Sequence, residues 1–107
     1  MTIANPTIPT VQVLAGVEHV SEWERDEPTP RRYISAANHG VEGHDLLVWC
    51  DATQFADGTL NVDTDPPTVR VDKLCWEHGL SSAQARELAA VLIEGADEID
   101  RWVRTTG

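Results

Sequence analysis

The chain has 107 residues, enough for one domain that buries roughly two-thirds of the surface of its unfolded form. Eighteen acidic residues against eight basic ones give a formal net charge of −10. Residues 41–79 hold eight of the acidic and two of the basic residues, a local balance of −6. This balance disfavours direct binding to nucleic acids or anionic membranes, because both need clusters of Lys and Arg.

The first ten residues contain two prolines, no basic residue and no long apolar run. This composition is typical of a loose N-terminal arm and differs from that of a signal peptide. Because no stretch has the length of a transmembrane helix, we expect a cytoplasmic protein. Cys50 and Cys75 are then expected to be free thiols, although the sequence alone leaves a disulfide between them open.

Period-two alternation and turn residues predict five strands in the first three-quarters of the chain. They are residues 11–23, bent near Gly16, and then 31–37, 46–50, 59–62 and 68–73. Residues 38–45 are predicted to form a loop. The run LLVWC at 46–50 is apolar on both faces, so it should be the most buried strand, with Trp49 in the core. Short links between successive strands favour antiparallel pairing, and the first two strands should form a hairpin.

A long amphipathic helix is predicted for residues 80–104. Ser81 suits the N-cap, and Gln84, three residues later, completes a capping box. At 100° per residue, one apolar face is predicted to pack on the sheet: Ala85, Leu88, Ala89, Leu92, Ala96, Ile99 and Val103. The sequence therefore predicts a single α+β domain, an antiparallel sheet of about five strands with one long C-terminal helix packed on a face.

The apolar arc of this helix is wider than packing on one sheet requires. Val91, Gly95 and Trp102 extend it on one flank and Ile93 extends it on the other, to roughly 200° against the ~100° that one contact needs. Gly95 costs about 1 kcal/mol relative to Ala in a helix, and a close approach by another element would explain it. This element is either a loop of the same chain or a second subunit. We take Val91, Gly95, Trp102 and Trp76 as interface candidates, because Trp is enriched in binding hot spots.

If the flank is a subunit interface, a bulky residue at Gly95 should weaken self-association and leave the monomer folded.

The run L-S-S-A-Q-A-R-E-L-A-A-V-L, followed by A-D-E-I-D-R, resembles the C-terminal helix of small uncharacterised actinobacterial and actinophage proteins. Those proteins place short strands before a leucine, a Ser/Thr cap and an A-R-x-L-A helix. The segment S-A-A-N-H-G from Ser35 is a second, weaker similarity. Gly95 departs from the pattern, which has alanine there. The resemblance covers about a quarter of the chain and implies a fold and a range of hosts, but no site residues.

Zinc-compatible side chains form the main candidate for a chemical site. Cys75 and His78 have a spacing that can chelate a metal, and His39 and His44 could supply further ligands. The His39 to His44 spacing is wide, however, and structural zinc sites usually have two close ligand pairs. We therefore assign no metal and no other cofactor. Cys75 beside His78 would also be the one local candidate for a nucleophilic thiol, but it lacks a supporting context.

Taken together, these features predict a non-enzymatic accessory protein that acts through protein–protein contacts. It is expected to form a homodimer, with a host protein as a possible second partner. Two alternatives remain open. One is an acidic mimic of nucleic acid that inhibits a nucleic-acid-binding protein, for which residues 41–79 are the motivation. The other is a zinc-binding protein that uses Cys75 and His78.

Overall fold

The computed structural model describes residues 11–26, 28–73 and 79–107. These residues form an antiparallel sheet of five strands and one C-terminal helix. The elements are β1 (Val17–Val20), β2 (Arg31–Ala36), β3 (His39–Val41), β4 (His44–Phe55), β5 (Thr68–Asp72) and α1 (Ser82–Thr106). The predicted α+β class, the antiparallel sheet and the C-terminal helix are confirmed. The predicted N-terminal arm, residues 1–10, lies outside the described residues.

The twelve-residue strand β4 is the centre of the sheet. Asp51 pairs with Ser35 of β2 and also with Thr68 of β5, so β2 and β5 lie on opposite edges of β4. Val48 pairs in the same way with His39 of β3 and with Val71 of β5. It follows that β2 and β3 lie end to end along one edge of β4. β1 pairs with the outer edge of β2.

The two faces of the sheet differ because side chains alternate along a strand. Even-numbered residues of β2 and β4 face α1 and are buried. They are largely aliphatic: Ile34, Ala36, Leu46, Val48, Cys50 and Ala52. Odd-numbered residues face the opposite side, which is called the open face below. Trp49 is one of these and is only half-buried, so its predicted place in the core under the helix is wrong.

The strand predictions differ from the structure in several places. The predicted strand 46–50 is the middle of the longer strand β4, His44–Phe55. Residues 11–16 are not a strand, because Gly16 has a φ of +88° and turns the chain after buried Leu14. Residues 39–41 form β3 rather than a loop, since Gly43 has a φ of +76° and closes a tight turn into β4. Residues 59–62 contribute an isolated bridge between Leu60 and Gln54.

Helix α1 begins as the sequence predicts. The Ser81 hydroxyl accepts from Gln84 N at 3.1 Å, and Gln84 Oε1 accepts from Ser81 N at 2.9 Å. Four residues of the predicted face, Leu88, Leu92, Ile99 and Val103, pack on the apolar clusters, but the most buried line of the helix is shifted to one side of them. Leu88, Gly95 and Trp102 are its buried residues, whereas Ala85, Ala89 and Ala96 are exposed. On a helical wheel of 100° per residue the buried face is rotated by roughly 70° from the predicted one.

Contacts near both ends fix α1 on the sheet. Near its N-terminus, Gln84 Nε2 donates to Glu42 O at 3.0 Å, in the turn between β3 and β4. Near its C-terminus, Trp102 Nε1 donates to Ala15 O at 3.0 Å. Each end also covers an apolar cluster: Leu88 packs with Val41, Leu46 and Val48, and Trp102 packs with Leu14, Ile34, Ala36, Cys50, Ala52 and Leu60.

Replacing Ser81 with Ala is expected to lower the free energy of unfolding by about 1 kcal/mol, because the backbone N–H of Gln84 loses the Ser81 hydroxyl as its acceptor. Ser82→Ala is the matched control, since Ser82 is exposed and inside the helix. Urea denaturation followed by far-UV circular dichroism measures both. Equal effects of the two substitutions would contradict the capping role.

Candidate functional site

The interface candidates on α1 occupy the contact between the helix and its own sheet. Gly95 is buried, Trp102 is 2% exposed, and Val91 is half-buried against the Leu46 cluster. The element that approaches Gly95 is the sheet of the same chain, neither the loop nor the second subunit that the sequence leaves open. Trp76 lies outside the described residues.

Gly95 marks the closest approach of α1 to the sheet. A Cβ atom at this position would lie 3.2 Å from both methyl carbons of Val69 and 3.3 Å from Cys50 Sγ. The carbonyl of Gly95 accepts from the Cys50 thiol at 3.3 Å. The glycine therefore serves the packing of the helix on β4 and β5, which explains the departure from alanine.

The zinc candidates are not brought together where the structure describes them. His39 lies opposite Val48, whereas His44 lies opposite Val41. The two histidines are thus separated by about four residues along the hairpin, roughly 13 Å at the rise of a strand. His44 Nδ1 also accepts from Leu46 N at 3.1 Å. Within the described ranges no group of three or more His, Cys, Asp or Glu side chains could hold a metal ion. Cys75 and His78 lie outside these ranges.

Cys50 is a buried thiol with the chemistry of a core residue. It is 3% exposed and free of a disulfide. Burial raises the pKa of the Cys50 thiol to about 11, with Glu98 and Asp51 adding to the shift. The thiolate, which is the nucleophile, is therefore scarce at neutral pH.

A cavity of about 250 Å³ lies between α1 and the edge of β4 that carries β2 and β3. Its floor is apolar and includes Ala36, Val48 and Gly95, while Glu94, Asp97, Glu98 and Arg101 of the helix and His39 of β3 contribute to its wall. Small side chains on the floor leave this space open beside the close contact at Gly95. We call this space the helix–sheet cavity.

The open face of the sheet carries aromatic side chains. Strand parity places Tyr33 of β2 with Trp49 and Phe55 of β4 on this side. Of the five aromatic residues that the structure describes, three therefore lie on the face that α1 leaves uncovered. Tyr33 is 45% exposed, and Trp49 and Phe55 are half-buried.

A polar network holds the open face in place. The Asp51 carboxylate accepts from Thr68 Oγ1 at 2.7 Å and forms an ion pair with Arg70. At the far end, Thr53 Oγ1 donates to Asp65 Oδ2 at 2.8 Å, so the loop after Leu60 covers this part of β4. What remains open is a shallow surface around Tyr33, Ser35, Trp49 and Asp51.

Sequence reasoning missed Tyr33 and Phe55 and misplaced Trp49. Their common side follows from the register, in which Tyr33 pairs with Thr53 and Arg31 with Phe55. The register between β2 and β4 depends on the length of the segment that connects them, residues 37–43. The alternation within either strand does not reveal it. Local parity could nevertheless have separated Trp49 from Val48 and Cys50.

No protein family model, curated protein or solved structure matches this chain. In the part of the chain that the structure describes, no helix has the length and apolar character needed to cross a bilayer.

Proposed function

We propose that this chain is a non-enzymatic interaction protein that forms a homodimer through the open face of its sheet. The observation that carries the proposal is the group of aromatic side chains on this uncovered face, Tyr33, Trp49 and Phe55. Tyr and Trp are enriched at protein interfaces, because they contribute a large contact area and retain a polar group. An exposed Tyr33 on a rigid strand is a suitable anchor for a hot spot.

Charge favours a second copy as the partner on this face. The chain carries −10 overall, so most of its surface would repel another copy. By strand parity, the open face of β2, β4 and β5 carries Arg31 and Arg70 against Asp45, Asp51 and Asp72, a net charge of −1. Two such faces approach with less like-charge repulsion than the rest of the surface would cause.

The geometry suits a symmetric dimer. Two sheets pack face to face at about 10 Å, a distance that aromatic and aliphatic side chains fill. In a twofold arrangement the interface is formed by the same patch of both subunits, so each subunit contributes one Tyr33. The interface candidates Gly95 and Trp102 are then replaced by Tyr33 and Trp49.

Replacing Tyr33 with Asp tests this arrangement. We expect the variant to be monomeric at concentrations where the wild type is dimeric, because two carboxylates would be buried against aromatic rings without partners. Ile93→Asp is the matched control: Ile93 is 63% exposed on α1, on the other side of the sheet. Light scattering after size exclusion gives the mass of each. A dimeric Tyr33→Asp variant, or a monomeric Ile93→Asp variant, would contradict the proposal.

One alternative function is that of an acidic mimic of nucleic acid, and salt-sensitive binding to a basic protein would test it. The exposed carboxylates of residues 41–79 are spread along β4: Glu42 and Asp45 lie at one end, Asp72 lies beside Leu47, Asp65 contacts Thr53, and Asp57 lies at the other end. Arg70 forms an ion pair with Asp51 in the middle of this row and so interrupts the acidic surface. We therefore favour the interaction protein.

The remaining expectations have their own tests. Zinc binding by Cys75 and His78 stays a prediction, which metal analysis of the purified protein checks. A host protein partner, cytoplasmic residence and an actinobacterial or phage origin also stay predictions, and they are compatible with a small dimeric adaptor.

A further inference from the structure

Two polar side chains interrupt the aliphatic face of the sheet on which α1 packs. Arg32 of β2 pairs with Gln54 of β4, and both are even-numbered residues of that face. Arg32 is 8% exposed and Gln54 is 1% exposed. A buried charge normally has a partner of opposite charge, because desolvation of an unpaired charge is costly. Arg32 is therefore a buried charge whose partner has to be identified.

The described chain surrounds the Arg32 guanidinium with neutral groups. Nε donates to Gln54 Oε1 at 2.9 Å, and Nη2 donates to Val11 O at 3.4 Å, near the limit for a hydrogen bond. One face of the guanidinium lies over the Trp23 ring, with Cζ 4.6 Å from the ring centroid. No carboxylate of the described residues forms an ion pair with Arg32. These contacts fix the plane of the guanidinium but leave its charge unpaired.

The outer end of the guanidinium is open to a ligand. Nη1 has no acceptor among the described residues, and it is not one of the buried atoms that lack a partner, so it reaches solvent. Nη1 and the second N–H of Nη2 form a fork that matches the two oxygens of a carboxylate. Burial lowers the pKa of Arg32 from its ordinary value, whereas a carboxylate beside it would raise the pKa. The group remains cationic at neutral pH, so its charge is available to an anion.

We infer that the Arg32 guanidinium binds the carboxylate group of a ligand. One carboxylate oxygen accepts from Nη1 and the other from Nη2, while Trp23 holds the plane of the guanidinium and Gln54 holds Nε. The indole shields one face of the guanidinium from water, which strengthens its pairing with the carboxylate. A singly charged carboxylate suits this site better than a phosphate dianion, because the net charge of −10 opposes each added negative charge.

Two sources can supply this carboxylate, a small organic acid and the C-terminus of a peptide. Acetate represents the first, and N-acetylglycine represents the second, because it includes the last peptide group of a chain. Each is titrated into the full wild-type chain at constant ionic strength, with N-acetylglycinamide as the neutral counterpart. NMR follows the Nε–H signal of Arg32 and the backbone amide signals of Trp23 and Gln54.

We expect both carboxylates to shift these signals with saturation in the millimolar range, and the neutral amide to leave them unchanged. Either order of the two affinities supports the inference and identifies the source. Tighter binding of N-acetylglycine assigns the site to a peptide terminus, and equal or weaker binding assigns it to a small acid. Equal shifts with N-acetylglycinamide, or no saturable shift of the Arg32 signal, would overturn the inference.

Arg32→Met removes the guanidinium and keeps an apolar stem. It should weaken carboxylate binding at least about tenfold, since the charge and the fork are both lost. Arg86→Met is the matched control, because Arg86 is an exposed arginine of α1, and it should leave the affinity unchanged. Arg32→Lys keeps the charge without the fork, should also bind more weakly, and repeats the test if Arg32→Met is misfolded. Wild-type affinity in the Arg32 variants, or equal weakening by Arg86→Met, would contradict the site.

Arg32 lies on the helix side of the sheet, so its variants should remain dimeric in light scattering. Failure here therefore stays distinguishable from failure of the open-face dimer, which Tyr33→Asp tests separately.

Discussion

Replacing Trp102 with Ala should lower the free energy of unfolding by about 3–5 kcal/mol, the range for removal of a buried Trp. Trp102 is 2% exposed and lies at the centre of the larger apolar cluster, between α1 and β2 and β4. Its indole also donates to Ala15 O, which holds the segment before β1 against the helix. The substitution therefore opens a cavity and leaves a carbonyl without its donor.

Trp102→Phe separates these two contributions. Phe keeps a six-membered aromatic ring but lacks the pyrrole part of the indole with its N–H, so we expect a smaller loss of about 1–2 kcal/mol. Ile93→Ala, at an exposed position of the same helix, should change stability by less than about 0.5 kcal/mol. Urea denaturation followed by far-UV circular dichroism avoids a Trp signal. A loss below about 1 kcal/mol for Trp102→Ala would show that the helix does not depend on this contact.

The second large effect is expected for Gly95→Leu, at about 3 kcal/mol of lost stability. Even a Cβ atom at Gly95 would lie 3.2 Å from Val69 and 3.3 Å from Cys50 Sγ. A leucine overpacks this contact and forces α1 away from β4 and β5. This result replaces the sequence-based expectation that a bulky residue at Gly95 would affect self-association and leave the monomer folded.

Two further variants make the Gly95 result specific. Ala96→Leu adds the same side chain at the next, exposed position and should leave stability within about 0.5 kcal/mol of wild type. Gly95→Ala exchanges a tight contact for better helix propensity, so the net change should be within about 1 kcal/mol. If Gly95→Leu were as stable as Ala96→Leu in urea denaturation, the close helix–sheet contact would be refuted.

The start of α1 could be predicted from the sequence because capping is local. Ser81 and Gln84 satisfy each other within four residues, and no distant part of the chain is needed for this. The presence of strands at 31–36 and 68–72 also followed from local alternation. The sequence predicts the bend at Gly16 but not its consequence: the positive φ there turns the chain immediately before β1, so residues 11–16 do not join the strand.

The buried face of α1 could not be read from its periodicity. Ala85, Ala89 and Ala96 are apolar enough to belong to a buried face, so the helical wheel predicts that the side on which they lie packs on the sheet. The sheet instead contacts a face that is rotated toward Gly95, because Gly95 permits a close approach that a side chain would prevent. The same limit applies to the open face, since the common side of Tyr33 and Phe55 depends on the register of a hairpin.

The most direct test of the proposed function is the mass of the wild-type chain in solution. Sedimentation velocity over a hundredfold range of concentration, at moderate salt, measures it without a label. The open-face dimer predicts a reversible monomer–dimer equilibrium that shifts to the monomer when Tyr33 is replaced with Asp. A wild-type chain that sediments as a monomer at every concentration would contradict it.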